Sequence, residues 1–234
     1  MRAIRQYRSR GSFKEYRNLS TQQVFTKIYE GGVWGRSSDP SQPFFSGSGS
    51  HDDTAVSVYV QAVGDFLSTL DKKPDVVDLG CGDFAVGSKL RHLCRRYTAC
   101  DIVPKLIEFN KEKYKSLNVD FGVLDLTTDE LPDGDIVFIR QVLQHLSNKR
   151  ILAAIPKISA KYKYLILSEP LPPTRVFDHN VDIPVGPHIR LGIQSGIVLT
   201  SPPFNLRVKS ELQLCGAPEP KLGGLIITTL YRLT

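Results

Sequence analysis

Cysteine and long apolar runs are both scarce in this chain of 234 residues. The four cysteines, at positions 81, 94, 100 and 215, show no spacing typical of a metal site. We therefore expect no bound metal and interpret them as free thiols in a reducing cytoplasm. No apolar run approaches the roughly 18 residues that a membrane span needs, and the basic start lacks the apolar block of a signal peptide. The sequence therefore predicts a cytoplasmic protein without a membrane span.

Positive charge is in moderate excess, because 30 Lys and Arg residues against 24 Asp and Glu residues give a net charge of +6. A basic balance raises nucleic acid as a partner. Apart from the N-terminus and residues 91, 95 and 96, however, the basic residues are scattered, and no interleaved basic and aromatic surface for stacking bases is visible. Nucleic acid is therefore disfavoured without being excluded. With 41% hydrophobic residues the chain can build the core of one α/β domain, and no oligomeric state follows.

The most informative stretch is residues 76–84, which read Val-Val-Asp-Leu-Gly-Cys-Gly-Asp-Phe. An apolar run ends in an acid, two glycines flank one residue, and a helical pattern then runs from residue 84 to 96. This order predicts a buried parallel strand, a tight turn and a helix. Gly80 and Gly82 permit positive φ and a close approach of ligand to backbone. We therefore expect unpaired N–H groups at a helix N-terminus, which suit a carboxylate or phosphate.

Charge narrows the choice of ligand for this turn. Ala85 completes the spacing of a dinucleotide-binding turn, so spacing alone leaves NAD open. Asp78 and Asp83 would repel a pyrophosphate, whereas a cationic cofactor that bears an amino acid tolerates them. Residues 78–82, Asp-Leu-Gly-Cys-Gly, resemble the first motif of the class I S-adenosylmethionine-dependent methyltransferases, in which this loop holds the methionine part of the cofactor.

The resemblance covers about residues 74–234 and implies the fold of that family. This is an α/β, Rossmann-like fold with a mostly parallel seven-stranded sheet, helices on both faces and a C-terminal antiparallel hairpin. The pattern of apolar and polar residues agrees with this fold. Strands are predicted at 97–101, 119–124, 135–139 and 164–169, a helix at 148–161, and the hairpin at 208–214 and 225–233.

One acid ends the strand predicted at 97–101, and another directly follows the strand predicted at 119–124. Asp101 lies about 20 residues after the glycine turn, where nucleotide-binding α/β folds place a carboxylate on ribose hydroxyls. An ordinary strand-end acid is the alternative, but the register with the turn favours the functional interpretation. The resemblance implies that Asp125 accepts from the adenine amino group and that Ile102 packs on adenine. The residues predicted to bind S-adenosylmethionine (SAM), and its product S-adenosylhomocysteine (SAH), are Asp78, Gly80, Cys81, Gly82, Asp101, Ile102, Asp125, Leu126, Arg140, Gln141, Trp34 and Ser48.

Residues 1–73 are interpreted as a basic tail and a helical cap, and residues 74–234 as the SAM-binding domain. One apolar helix is expected to end at the paired glycines 31 and 32, and another to begin near residue 52 or 53. The segment between them resembles the N-terminal cap of a bacterial group of methyltransferases associated with sugar or surface-glycan pathways. The resemblance implies that Tyr29, Trp34 and the loop 47–50 cover the cofactor, with plain packing as the alternative.

A stretch rich in Pro and Gly runs from residue 170 to 205 and leaves the fifth strand at the carboxyl edge of the sheet, where open α/β folds bind ligands. Its apolar residues argue against disorder, so we interpret it as a substrate lid. Pro202-Pro203-Phe204 resembles a motif of methyltransferases that act on amide or amino nitrogens. Those enzymes place the motif directly after the fourth strand, whereas it comes far downstream here, and we interpret it as a rigid turn.

The chemistry that the resemblance implies is in-line transfer of an electrophilic methyl group, governed mainly by positioning and desolvation. A hydroxyl acceptor also needs its proton removed, and His145 is the first candidate base, with His179 and His188 as reserves. A nitrogen acceptor with a free lone pair needs no base. The candidate substrate-binding residues are Tyr29, Gln144 and Arg190.

The sequence thus predicts a SAM-dependent methyltransferase that acts on a small-molecule or sugar acceptor, with oxygen favoured over nitrogen. Two alternatives stay open: a nucleic-acid methyltransferase, and a non-catalytic SAM-binding partner protein. The acids at positions 78, 101 and 125 argue against the second alternative, since a scaffold has no need of them.

Overall fold

A computed structural model describes residues 15–174 and 176–234, and within them seven strands form one mixed sheet. A separate pair joins two very short strands in the lid segment. The strands are β1 (Asp75–Leu79), β2 (Arg96–Asp101), β3 (Asp120–Val123), β4 (Ile136–Arg140), β5 (Tyr164–Leu171), β6 (Asp178–His179), β7 (Ser195–Gly196), β8 (Val208–Pro218) and β9 (Leu225–Leu233).

The sheet order is β3-β2-β1-β4-β5-β9-β8. The first five strands along this order pair in parallel, and β9 runs antiparallel to both β5 and β8. The predicted seven-stranded sheet with its C-terminal hairpin is therefore confirmed. Because β1 lies between β2 and β4, the crossovers diverge at its carboxyl end and leave a crevice there, which is where open α/β sheets bind ligands.

Five α-helices are described: α1 (Thr21–Gly31), α2 (Asp53–Ser68), α3 (Gly87–Leu90), α4 (Pro104–Lys113) and α5 (Asn148–Lys161). A capping box of Ser20 and Gln23 starts α1, and Gly32 ends it with a left-handed φ of 61°. The carboxylate of Asp52 caps α2 by accepting from the N–H of Ala55 at 2.8 Å. The two helix ends predicted in this region, at the paired glycines and near residue 52 or 53, are confirmed.

The helix predicted over residues 84–96 is wrong. Only the four residues of α3 are α-helical, and a 3-10 turn follows at Arg91–Leu93. Phe84 adopts a positive φ of 59°, which carries its ring into full burial against Tyr97 and Phe121. Gly87 then passes directly beneath that ring, where a Cβ would lie 2.4 Å from it. Aromatic packing therefore replaces the first turn of the expected helix.

Each face of the sheet has its own core. On one face, Phe25 and Ile28 of α1 pack with the buried side chains of β1, β4 and α5. On the other face, Tyr59, Val63 and Leu67 of α2 pack with alternate residues of the same strands. The helices N-terminal to residue 74, predicted as a cap, thus share both cores with the sheet. The basic tail predicted before residue 15 lies outside the described residues.

The lid segment after β5 folds back over the carboxyl edge of the sheet. It contains β6, β7 and a 3-10 turn at Arg190–Ile193, and Pro202 and Pro203 lie in a turn near its end. Among the described residues, no helix has the length and apolar character to cross a membrane.

Candidate active site

A cavity of about 500 Å³ opens at the carboxyl ends of β1, β2 and β4. The lid contributes Pro187, His188, Ile189 and Gly192 to its wall, and the β8–β9 turn contributes Glu219, Lys221 and Leu222. All twelve residues predicted to bind cofactor line this cavity, as do Tyr29, Gln144, His145 and His188. The fold therefore gathers into one site residues that are spread over most of the sequence.

The turn between β1 and α3 requires both of its glycines. Gly80 has a φ of 82° and Gly82 a φ of 57°, and a Cβ would lie 2.4 Å from Val142 at the first position and from Ser46 at the second. Asn110, fully buried on α4, donates its side-chain N–H to the Gly82 carbonyl at 2.7 Å. Asn110 thus supports the turn from the protein interior, and neither glycine position has room for a side chain.

The expectation of unpaired backbone donors at this turn is wrong. The N–H groups of Gly80 and Cys81 donate to the Cys100 carbonyl, and that of Gly82 donates to Asp101 Oδ2 at 3.1 Å. The N–H of Asp83 donates to Ser46 Oγ at 2.8 Å. Since the following helix α3 has only four residues, the turn offers no anion site of the kind that a helix N-terminus provides.

Asp101 ends β2 and lies buried beside the turn. Its Oδ1 accepts from the N–H of Val103 and its Oδ2 from the N–H of Gly82, both at 3.1 Å. A carboxylate has about four acceptor positions, so Asp101 keeps acceptor capacity for hydroxyl donors. Burial raises the pKa of Asp101 to about 6, and the backbone donors partly oppose that rise. The group therefore titrates just below neutral pH.

Asp125 follows β3 at the far end of the cavity. Its Oδ1 accepts from the backbone N–H of Thr127 at 2.8 Å and from the hydroxyl of Thr127 at 2.6 Å, which fixes the carboxylate. Ile102, Leu124 and Leu126 line the same part of the wall. An apolar slot with a fixed acceptor at its edge suits a flat heterocycle that carries an amino group.

The opposite end of the cavity holds an acid and a cation. Tyr97 donates its hydroxyl to Asp78 Oδ2 at 2.9 Å, and burial raises the pKa of Asp78 to about 7. The guanidinium of Arg140 lies 5.1 Å from the ring centre of Tyr59. It donates to the Gly49 carbonyl at 2.7 Å and to Ser50 Oγ at 3.2 Å, while its Nε is buried without a partner.

Residues 46–51 cross the cavity and are tied to the glycine turn by Asp83. His51 Nε2 lies 2.6 Å from Asp83 Oδ2, which also accepts from the N–H of Ser46 at 3.1 Å. Tyr29 and Ser46 share a hydroxyl hydrogen bond of 3.0 Å, so Tyr29 lies beside the glycine turn rather than deep in the acceptor wall. Sequence analysis used Asp83 only as an argument against a pyrophosphate and did not single out His51, although a histidine after a Gly/Ser loop was visible.

An aromatic wall lies between α1 and the lid. Trp34 and His145 face each other with ring centroids 4.8 Å apart, and Trp34 Nε1 donates to the Pro187 carbonyl at 3.3 Å. His145 Nδ1 lies 3.3 Å from the His188 carbonyl. Because a carbonyl can only accept, that hydrogen bond requires the proton on Nδ1 and leaves Nε2 with the lone pair. Burial lowers the pKa of His145 to about 4, so the ring is neutral at pH 7.

Two candidate site residues lie elsewhere, and the predictions made for them are wrong. His179 is exposed on β6, pairs with Ser201 Oγ at 2.9 Å and does not line the cavity. Arg190, predicted to bind substrate, is 1% exposed and points away from the cavity into the lid and the segment after β4. Its guanidinium donates to the carbonyls of Val181, Leu143, Gln144 and Leu146 and to Asn148 Oδ1. The local sequence pattern gave no indication that the lid folds back and takes Arg190 away from the cavity.

Sequence analysis also missed Glu169, which it treated only as the end of a strand. Glu169 is 2% exposed, and its Oε1 accepts from the N–H groups of Val142 and Leu143 at 3.1 and 2.7 Å. An acid at the end of an apolar strand was the available signal. Burial raises the pKa of Glu169 to about 8.

Part of the chain is similar in sequence to methyltransferases. Residues 76–163 match the family described as "Methyltransferase domain". A segment covering 38% of the chain is 31% identical over 96 residues to malonyl-[acyl-carrier protein] O-methyltransferase of Acetivibrio thermocellus, and the match spans 34% of that protein's length.

Solved structures agree on the fold. Magnesium protoporphyrin IX methyltransferase from Synechocystis PCC 6803, with bound SAM, superposes with a TM-score of 0.58 at 16% identity, over 92% of this chain and 98% of the other. The N-methyltransferase NodS from Bradyrhizobium japonicum WM9, in complex with SAH, gives 0.55 at 14% identity, over 77% and 89%. Residues 76–163 are thus similar in sequence to a methyltransferase domain, and the sheet order and the position of the cavity agree with that similarity.

Proposed function

We propose that this protein binds SAM in the cavity and transfers its methyl group to a small-molecule acceptor. The observation that carries the proposal is the alignment of three acids, Asp78, Asp101 and Asp125, along one cavity that begins at the glycine turn. Each acid lies at or near the carboxyl end of a different strand, and together they match the acidic and hydroxyl-accepting contacts that an adenosyl amino acid needs. SAM supplies an electrophilic methyl group on its sulfonium.

The chemistry of the lining fits the cofactor from end to end. Asp125 and the apolar side chains beside it suit adenine, and the open positions of Asp101 suit the ribose hydroxyls. The buried, unpartnered Nε of Arg140 suits a carboxylate, while Asp78 suits an ammonium group. Trp34 and Ser48, from the segment that crosses the cavity, complete the enclosure and exclude water.

The acceptor is proposed to bind against the aromatic wall, beside Gln144 and His145. Gln144 is 5% exposed and its Oε1 has no partner, which leaves an acceptor for a polar group of the ligand. Among the described residues of this wall, which runs over Phe25, Trp34, Gln144, His145 and 187–189, none is a carboxylate or a lysine or arginine. Such a surface favours a small, neutral acceptor, and a sugar hydroxyl is one candidate.

Oxygen is favoured over nitrogen because His145 is held neutral with its proton on Nδ1. In that tautomer Nε2 can accept the proton of a hydroxyl as the carbon–oxygen bond forms. Names of similar proteins include an O-methyltransferase and an N-methyltransferase, so nitrogen stays the alternative. His188, on the lid side of the cavity, is the reserve base.

Calorimetric titration of the purified protein with SAM and with SAH tests the binding step. We expect both to bind and NADH to leave SAM affinity unchanged, because no pyrophosphate site is present in the described cavity. An acceptor screen read by the mass gain of one methyl group then tests transfer. Absence of SAM and SAH binding would overturn the proposal, and methylation only of DNA or RNA would replace the acceptor class.

A further inference from the structure

We propose that Arg190 and Glu169 are positioning residues that clamp the turn Leu143–His145 from its two ends and thereby set how His145 faces the cavity. The role rests on the proposed function of His145, but the clamp itself is a property of this chain that can be measured without an acceptor.

Arg190 satisfies the carbonyl end of the turn. Its Nη1 donates to the carbonyls of Leu143 at 3.0 Å and Gln144 at 3.2 Å, and its Nη2 donates to that of Leu146 at 2.7 Å. Within the turn the N–H of Leu146 donates to the Leu143 carbonyl at 3.0 Å, but a single 3-10 turn gives the later carbonyls no such partner, and a buried unpaired carbonyl is costly. Arg190 therefore replaces the hydrogen bonds that a longer helix would have made.

Glu169 satisfies the amide end of the same turn. Its Oε1 accepts from the N–H groups of Val142 and Leu143, which precede the first hydrogen bond of the turn. Residue 141, just before them, has a positive φ of 57°, so the chain bends sharply into the turn. Glu169 belongs to β5 and Arg190 to the lid, so two separate elements bind the same short turn.

The clamped turn carries the groups that face the acceptor wall. Gln144 and His145 both lie on it and both line the cavity. His145 also meets the lid through the His188 carbonyl, two residues from Arg190. Fixing Arg190 to the turn therefore fixes the lid residues beside it, so the lid is a rigid wall of the site and the orientation of the imidazole follows from the clamp.

Trp34, the only tryptophan of the chain, provides a direct readout because its ring lies 4.8 Å from that of His145. A protonated imidazole quenches indole fluorescence, whereas a neutral one quenches little. With the pKa of His145 lowered to about 4, protonation of His145 should cause no change in Trp34 emission between about pH 5 and pH 8. Arg190 and His188 are the charged or titratable groups that act on His145 in this environment.

The test compares Arg190→Lys, Glu169→Leu and Glu169→Gln with the unmodified protein. Lysine keeps the positive charge but cannot reach all the carbonyls, and Gln keeps the Oε1 acceptor that Leu lacks. We expect Arg190→Lys and Glu169→Leu to gain a Trp34 transition near the ordinary histidine pKa of about 6.5, and Glu169→Gln to stay flat. Adding His145→Gln to Arg190→Lys should abolish the transition.

Two further measurements separate positioning from general stability. Val63→Ala destabilises the core on the other face of the sheet, so it should lower the melting temperature while Trp34 emission stays flat. SAH affinity should be unchanged in Glu169→Leu, since Glu169 holds the N–H groups of Val142 and Leu143, and neither residue is assigned to the cofactor. Flat emission in folded Arg190→Lys and Glu169→Leu would overturn the clamp. If Arg190→Lys does not fold, the contrast between Glu169→Leu and Glu169→Gln decides alone.

Discussion

His51 Nε2 lies 2.6 Å from Asp83 Oδ2, and this contact ties the segment that crosses the cavity to the glycine turn beneath it. Asp83 is 2% exposed and also holds the N–H of Ser46, so one buried carboxylate anchors both ends of residues 46–51. Arg140 holds the middle of the same segment through Gly49 and Ser50. Residues 46–51 therefore form a closed segment over the site, which we call the latch.

Replacing His51 by Ala should make SAH leave faster. The variant loses one hydrogen bond to a charged group, about 1.5–3 kcal/mol, so dissociation should accelerate by roughly tenfold or more. Stopped-flow fluorescence of Trp34 measures the rate. His92→Ala, an exposed histidine outside the cavity, is the matched control and should release SAH at the normal rate. Equal rates in both variants would mean that ligand exchange does not require the latch to open.

Asp101→Asn should weaken SAM binding without unfolding the protein. The amide keeps one acceptor oxygen but loses the charge that strengthens hydrogen bonds from the ribose hydroxyls, and we expect a loss of about 2–4 kcal/mol. Titration calorimetry measures the affinity, and Asp65→Asn on the exposed face of α2 is the control. An unchanged affinity would show that Asp101 is an ordinary strand-end acid.

SAM affinity should rise with pH. Burial raises the pKa of Asp78 to about 7 and of Asp101 to about 6, so both carboxyls hold protons in mildly acidic solution. Because the folded pKa values are raised, protonation of these carboxyls stabilises the unliganded protein against unfolding. This stabilisation is complete below the ordinary pKa of 3.8 and is lost as the pH rises to about 7. A cationic ligand favours the ionised forms and releases protons on binding, so its affinity should increase from about pH 5 to pH 8. Calorimetry in buffers of different ionisation heat would detect the released protons, and a pH-independent affinity would contradict the assignment.

His145→Ala should slow transfer to a hydroxyl acceptor by about 100- to 10,000-fold while SAM binding stays normal. Because burial lowers the pKa of His145 to about 4, protonation of this base should not reduce the rate above about pH 5. Turnover at saturating SAM is the measurement. His179→Ala, outside the cavity, serves as control and should keep full activity. If His145→Ala also keeps it, either His188 is the base or the acceptor is a nitrogen.

Ile28→Ala should destabilise the whole domain. Ile28 is fully buried where α1 packs on the sheet, and truncating such a side chain costs about 2–5 kcal/mol. Urea unfolding followed by circular dichroism measures the loss, and Val33→Ala, at an exposed position, is the control. A loss below that of the control would mean that α1 is a detachable cap, as the division at residue 73 predicted.

The local sequence pattern was enough to predict a helix or strand wherever that element could be recognised from its own residues. The helix predicted at 148–161 has those bounds in the structure, and the strands and the hairpin lie where apolar runs predicted them. Periodicity reports which side of an element is buried, and every residue of an element carries that signal. The helix expected at 84–96 failed because Phe84 turns into a cluster with Tyr97 and Phe121, and that preference comes from distant partners.

By itself the sequence determined the order of strands and helices, the glycine turn and the acids that follow it. Only the tertiary structure decided which donors and acceptors meet. Asp83 pairs with His51, 32 residues away, and Arg190 binds carbonyls up to 47 residues away instead of facing the cavity. The backbone N–H groups of the glycine turn, expected to be open, are satisfied by Cys100, Asp101 and Ser46. Buried polar groups take whichever partner the packed chain brings within reach, and neither composition nor periodicity records that choice.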